Sequence, residues 1–120
     1  MHEKGKVEVT DVCKTYQKND QNVVSLSHVS LSIKERQFVS IIGPSGCGKS
    51  TLFNIIAGLL LPTSGNVIAD GHSIIGRAGY VGYMLQKDML LPWRTIEDNI
   101  ILGLEIRDVP KKEALARALP

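Results

Sequence analysis

Residues Gly43 to Thr51 read Gly-Pro-Ser-Gly-Cys-Gly-Lys-Ser-Thr: a glycine, four residues, then Gly-Lys-Ser. This pattern commits the chain to a strand, a tight glycine loop and a helix in succession. Only that order turns consecutive backbone N–H groups inward and sets the positive end of a helix behind them. Phosphate oxygens are the groups such a loop suits. In a chain of 120 residues the four fixed positions arise by chance on the order of once in a few hundred sequences. The flanks narrow that further. Phe38 to Ile42 is a short β-rich apolar run, predicted to be a buried strand entering the loop, and Leu52, Ile55, Ile56 and Leu59 fall at helical spacing after it. A polyphosphate is the expected ligand, with the Lys49 ammonium reaching the β and γ phosphates and the Ser50 hydroxyl placed for Mg2+.

Composition excludes several other classes. The net charge is only +2, from 14 basic and 12 acidic residues, and no basic cluster exceeds the Lys111-Lys112 pair, so nothing points to nucleic acid. The opening Met1 to Lys4 leads into no apolar segment of a secretory type, which predicts a cytosolic chain. The longest apolar run, Ile55 to Leu61, falls far short of the roughly 20 residues that cross a bilayer, so any membrane connection is expected through a partner. Cys13 and Cys47 are too few for a disulfide framework and lack metal-ligand spacing, and His2, His28 and His72 are scattered along the chain. All three histidines read as structural or surface residues.

Along the chain, Val7 and Val9 alternate with polar residues as a half-buried strand running to about Val12. A polar turn over Lys18 to Asn22 leads into a second extended stretch. There Val24 and Leu26 have one parity and Val29, Leu31 and Ile33 the other, so a bend or bulge is expected near Ser27-His28. The short connection predicts antiparallel pairing. Pro62 to Gly65 reads as a turn, Val67 to Ala69 as a strand, Asp70-Gly71 as a turn and Gly79 to Leu85 as another strand. Thr95 with Asp98 resembles a capping box, opening a helix in which Ile96, Ile100 and Leu104 share a face and Gly103 weakens the end. Past Val109-Pro110, Lys111 to Leu119 is predicted to be helical. After the phosphate loop no apolar run ends in the acidic pair that a nucleotide hydrolase of this kind uses, one carboxylate for Mg2+ and one for the attacking water. The expectation is therefore an N-terminal portion, or a chain that does not hydrolyse ATP alone.

Three features together resemble the ATP-binding cassette family, the nucleotide-binding subunits of ABC transporters: the loop Gly-Pro-Ser-Gly-Cys-Gly-Lys-Ser-Thr-Leu, Gln86 at the end of a strand 37 residues after Lys49, and Tyr16 after the first strand. The fold so implied is α/β, a P-loop NTPase domain of the ABC type, incomplete, with an N-terminal antiparallel β region. Its parts are expected at about 5–36 for the β region, 37–86 for the phosphate-loop core and 86–120 for the Q-loop and the start of a helical region. By resemblance Tyr16 stacks adenine, while Gly43, Pro44, Ser45, Gly46, Cys47, Gly48, Lys49, Ser50 and Thr51 wrap the phosphates of ATP. Lys49 and Gln86 serve catalysis, and Ser50 and Gln86 hold Mg2+. The LSGGQ signature, the Walker B strand, the D-loop and the switch histidine are absent from the sequence, and Arg36-Gln37 departs from the usual Gly-Glu turn ahead of the strand.

The run Leu90-Leu91-Pro92-Trp93-Arg94-Thr95 is similar to importer ATPases for nitrate, sulfonates and taurine, a group that includes transporters of pyrimidine thiamine precursors. The resemblance implies a second ATP-binding subunit as dimer partner, transmembrane permease subunits, and a solute-binding protein reached indirectly. It also implies a cytoplasmic location, peripheral on the inner face of the cell membrane. Gln86 to Arg94, rich in Met89, Leu90, Leu91 and Trp93, is then the expected permease contact. Plainer readings stand beside these: Tyr16 as cover for the β edge, Gln86 as a solvated strand end, Trp93 packed on the following helix. Two functional alternatives differ in class, a nucleotide-binding module without turnover and a soluble cassette ATPase of DNA repair or translation.

Overall fold

The computed structural model describes residues 6–119. They form two compact units, one ending at Tyr83 and the other beginning at Met84.

The first unit is built on a four-stranded sheet of β1 (Val7–Lys18), β2 (Gln21–Ile33), β3 (Ser64–Ala69) and β4 (His72–Ser73), in the order β2-β1-β3-β4. Every neighbouring pair is antiparallel. β1 runs on past Val12 because the hairpin continues to its tip. There Asn19 and Asp20 both take positive φ, near 50° and 59°, the conformation that closes a two-residue hairpin with the right twist. The expected slip in β2 is present: Val12 pairs Val29 but Lys14 pairs Leu26, leaving Ser27 and His28 opposite Cys13 alone. β1 has its own extra residue, since Thr10 and Asp11 face Ser30 alone. Such bulges let Val9 and Val12, three apart, both enter the core. Gly65 belongs to β3, not to the expected turn. It stands against the β1 bulge, where an added Cβ would lie 2.3 Å from the Asp11 carbonyl oxygen.

Helix α1 (Lys49–Ile56) lays Leu52 and Ile55 on this sheet, closing a core with Val9, Val12, Leu26, Val67, Ala69 and Ile74. Leu59 is exposed, because the helix ends at Ile56 and Gly58 turns left-handed at φ 80°. Two expected strands do not form: neither Phe38 to Ile42 nor Gly79 to Leu85 joins the sheet. A strand buried on both faces needs neighbours to complete its ladder, and none of the described strands pairs with these runs. Phe38 and Ile42 accordingly stand 93% and 95% exposed.

In the second unit, α2 (Ile96–Ile100), α3 (Leu102–Ile106) and α4 (Lys111–Ala118) follow one another. Thr95 caps α2 as expected, its hydroxyl accepting from the Asp98 amide at 3.1 Å. Lys111, and then Thr95, hold the Asp98 carboxyl below the usual carboxylate range. The expected face of Ile96, Ile100 and Leu104 is not the buried one: Ile96 and Ile100 are exposed and Ile101, between α2 and α3, is fully buried. The helix breaks there, so the 3.6-residue period does not carry across. Replacing Thr95 with alanine should cost α2 about 1 kcal/mol. Hydrogen exchange at the Asn99 and Ile101 amides, which donate to Thr95 and Glu97 carbonyls, should then speed up roughly fivefold. Unchanged exchange would show that the cap contributes nothing to α2.

Candidate phosphate-binding site

The phosphate loop follows Phe38 to Ile42, which join no strand or helix, and ends on α1, whose N-cap is Gly48 at φ 97° and ψ 7°. That left-handed conformation suits a residue without Cβ. Space demands glycine as well, since an added Cβ would lie 2.6 Å from the Ser25 carbonyl oxygen and 2.9 Å from Leu26 Cδ2. The loop is therefore pressed onto β2. One further bond fixes it, from Ser25 Oγ to Thr51 Oγ1 at 3.0 Å. Ser25 has no motif of its own and lies 26 residues from Thr51, so only the strand pairing reveals it.

Within the loop, the Cys47 amide turns back to the Pro44 carbonyl at 3.3 Å. The Lys49 ammonium folds over the same turn: it donates to the Gly43 carbonyl, to the Pro44 carbonyl at 3.1 Å and to Cys47 Sγ at 3.5 Å. Gly43, Pro44, Cys47 and Lys49 are thus brought together. Ser45, Gly46, Cys47 and Ser50 are exposed on the loop and the first turn of α1. A cation held over the concave turn, with a helix N-terminus behind it, is suited to an anionic group.

Tyr16 lies near the hairpin tip, paired with Val23, two residues from the Ser25 that backs the loop. Its ring is partly exposed and carries Lys14 Nζ 5.2 Å from its centroid. Gln86 belongs to the second unit and is exposed. So is Trp93, at 77%, which sets aside its packing on the following helix. Leu91 is half-buried, its amide donating to Asn99 Oδ1 at 2.8 Å and its carbonyl accepting from Asn99 Nδ2 at 3.2 Å. Arg94 pairs with Glu105 at 2.6 Å, so the Leu91 to Arg94 segment is fastened while Met89, Leu90 and Trp93 stay out. Among the described residues no helix is long and apolar enough to cross a membrane.

This loop, on an α1 seated against an antiparallel sheet, defines a nucleotide-binding cassette, and the chain belongs to the ABC transporter family, whose profile matches residues 26–119. It is similar to an uncharacterised ABC transporter ATP-binding protein of Methanocaldococcus jannaschii, 40% identical over 93% of this chain and 42% of that protein. It is also similar to the taurine import ATP-binding protein TauB of Rhizobium johnstonii, 46% identical over 82% of this chain and 38% of that one. Among solved structures, a dimeric ATP-binding cassette in a post-hydrolysis state bound to ADP and Pi superposes with a TM-score of 0.84 at 35% identity, over 94% of this chain and 54% of the other. The chain therefore spans well under half the length of these two curated relatives.

Proposed function

We propose that this protein is the ATP-binding subunit of an ABC importer, which binds MgATP and, as a complete dimeric subunit, hydrolyses it to drive solute uptake. The observation that carries the reading is the loop itself: the Lys49 ammonium poised over the Gly43 and Pro44 carbonyls, with Gly48 opening α1 behind it. Gly43 to Thr51 wrap the phosphates, Lys49 neutralises charge on them, and Tyr16 stacks the adenine. The exposed Ser50 hydroxyl on the first turn of α1 suits Mg2+, a hard cation that takes oxygen ligands together with phosphates. Ser50 would hold it from there, and Gln86 is assigned to the same ion by resemblance to the family alone; when bound, the ion would offset charge on the phosphate oxygens. The partners are a second ATP-binding subunit, permease subunits and, through them, a solute-binding protein. The working place is the cytoplasmic face of the cell membrane. The solute belongs to the group of nitrate, sulfonates, taurine and pyrimidine thiamine precursors, a reading supported by the similarity to TauB proteins and by the run Leu90 to Thr95.

Exposed Met89, Leu90 and Trp93 supply the apolar surface on which the permease docks. The full-length subunit should co-purify with its permease and hydrolyse MgATP in that complex. Leu90→Ala with Trp93→Ala should reduce co-purification at least tenfold while ATP binding holds. Both side chains are exposed, so thermal stability should barely change. A stably folded double variant that keeps the permease at wild-type affinity would remove this surface from the reading.

A further inference from the structure

On the sheet, Asp11, Cys13 and His28 bring one carboxylate, one thiol and one imidazole together, with donor atoms all within 4.8 Å of one another. Linear spacing hides this group, because His28 comes from the neighbouring strand. The two bulges assemble it. Asp11 and His28 are the residues that take positive φ, near 50° and 48°, on either side of the Val12–Val29 pair. The arrangement is nearly symmetric: the Asp11 amide donates to Ser30 Oγ at 2.9 Å, and the His28 amide donates to Cys13 Sγ at 3.3 Å. His28 Nδ1 meets Asp11 Oδ1 at 2.6 Å.

We propose that Asp11, Cys13 and His28 form a binding site for a borderline-soft divalent cation, Zn2+ foremost. Sulfur, imidazole nitrogen and carboxylate oxygen are the three ligand types of protein zinc, and three of them with a fourth position open to solvent make a workable tetrahedral set. Tetrahedral Zn2+ spaces such donors about 3.3–3.7 Å apart. The Asp11–His28 contact therefore opens by about 1 Å, a side-chain rotation, while the strands stay in place. An amide N–H aimed at the sulfur is the outer support that metal-bound thiolates receive. The ion pair alone is a weaker account of the group, since its side chains are 64% and 73% exposed and such pairs add little. A hard cation such as Mg2+ is disfavoured by the thiol and imidazole, which separates this site from the phosphate loop.

The test uses the full-length protein carrying Cys47→Ala, which removes the other thiol of this region. Zn2+ calorimetry should show one site. Co2+ in its place should give a thiolate-to-metal charge-transfer absorption that Zn2+ abolishes and excess Mg2+ does not. Adding Cys13→Ser should eliminate that absorption, and His28→Gln should weaken Co2+ binding at least tenfold. Asp11→Asn is the companion variant, since asparagine holds a left-handed backbone readily; it too should weaken binding tenfold with an unchanged circular dichroism spectrum. An absence of Zn2+ binding to the parent overturns the proposal, as does an absorption that survives Cys13→Ser. Undiminished Co2+ affinity in either folded variant does the same.

Discussion

Lys49→Ala should weaken MgATP binding by about tenfold to a hundredfold and leave the fold unchanged. A charge-assisted contact between an ammonium and phosphate oxygens contributes about 1.5–3 kcal/mol, and tenfold corresponds to about 1.4 kcal/mol. The fold should tolerate the loss because the hydrogen bonds of Lys49 Nζ run to loop atoms, the Gly43 and Pro44 carbonyls and Cys47 Sγ, and Lys49 is not one of the residues of the α1 core. Isothermal calorimetry on the full-length protein and its variant, after circular dichroism has matched them, measures the effect. An unchanged dissociation constant would sink the phosphate-loop reading.

Gly48→Ala should do damage of a different kind, lowering stability and nucleotide affinity together. A left-handed alanine costs about 1–2 kcal/mol, and the new methyl meets the Ser25 carbonyl oxygen at 2.6 Å, which is backbone and does not move aside. With the overpacking term the total comes to about 2–5 kcal/mol. The start of α1 must shift away from β2, loosening the Ser25–Thr51 bond that orients the loop. Gly46→Ala is the control, for it carries the same strain at φ 83° but meets nothing within 4 Å. Denaturant midpoints should therefore fall further for Gly48→Ala than for Gly46→Ala. Equal losses would mean that the contact with β2 is not what constrains this glycine.

What could be read from the residues is what their near neighbours decide. The loop and α1 follow from a contiguous motif. The antiparallel hairpin follows from a short polar turn, and the bulge near Ser27-His28 from a change of parity visible in β2. Thr95 capping Asp98 is likewise local. The misreadings occur where a distant partner decides. Phe38 to Ile42 has the composition of a buried strand, and composition does not say whether neighbours are present to pair with it. The break at Ile101 turned the expected face of α2 outward. Ser25 behind Thr51, and His28 beside Asp11 and Cys13, depend on which residue of one strand stands opposite which of the next.

The bulges also set how this hairpin can change over generations. The extra residue at Asp11 shifts the inward and outward sequence of β1, and the extra residues at Ser27–His28 and at Ser25 shift that of β2. Losing one of them alone would turn either Val9 or Leu26 away from the core, because side chains alternate faces along a strand. Single-residue deletions in β1 and β2 should therefore be purged unless a second one restores the alternation. The hairpin behaves like a message read through three frameshifts: it accepts substitutions freely at its exposed positions and resists single-residue changes of length.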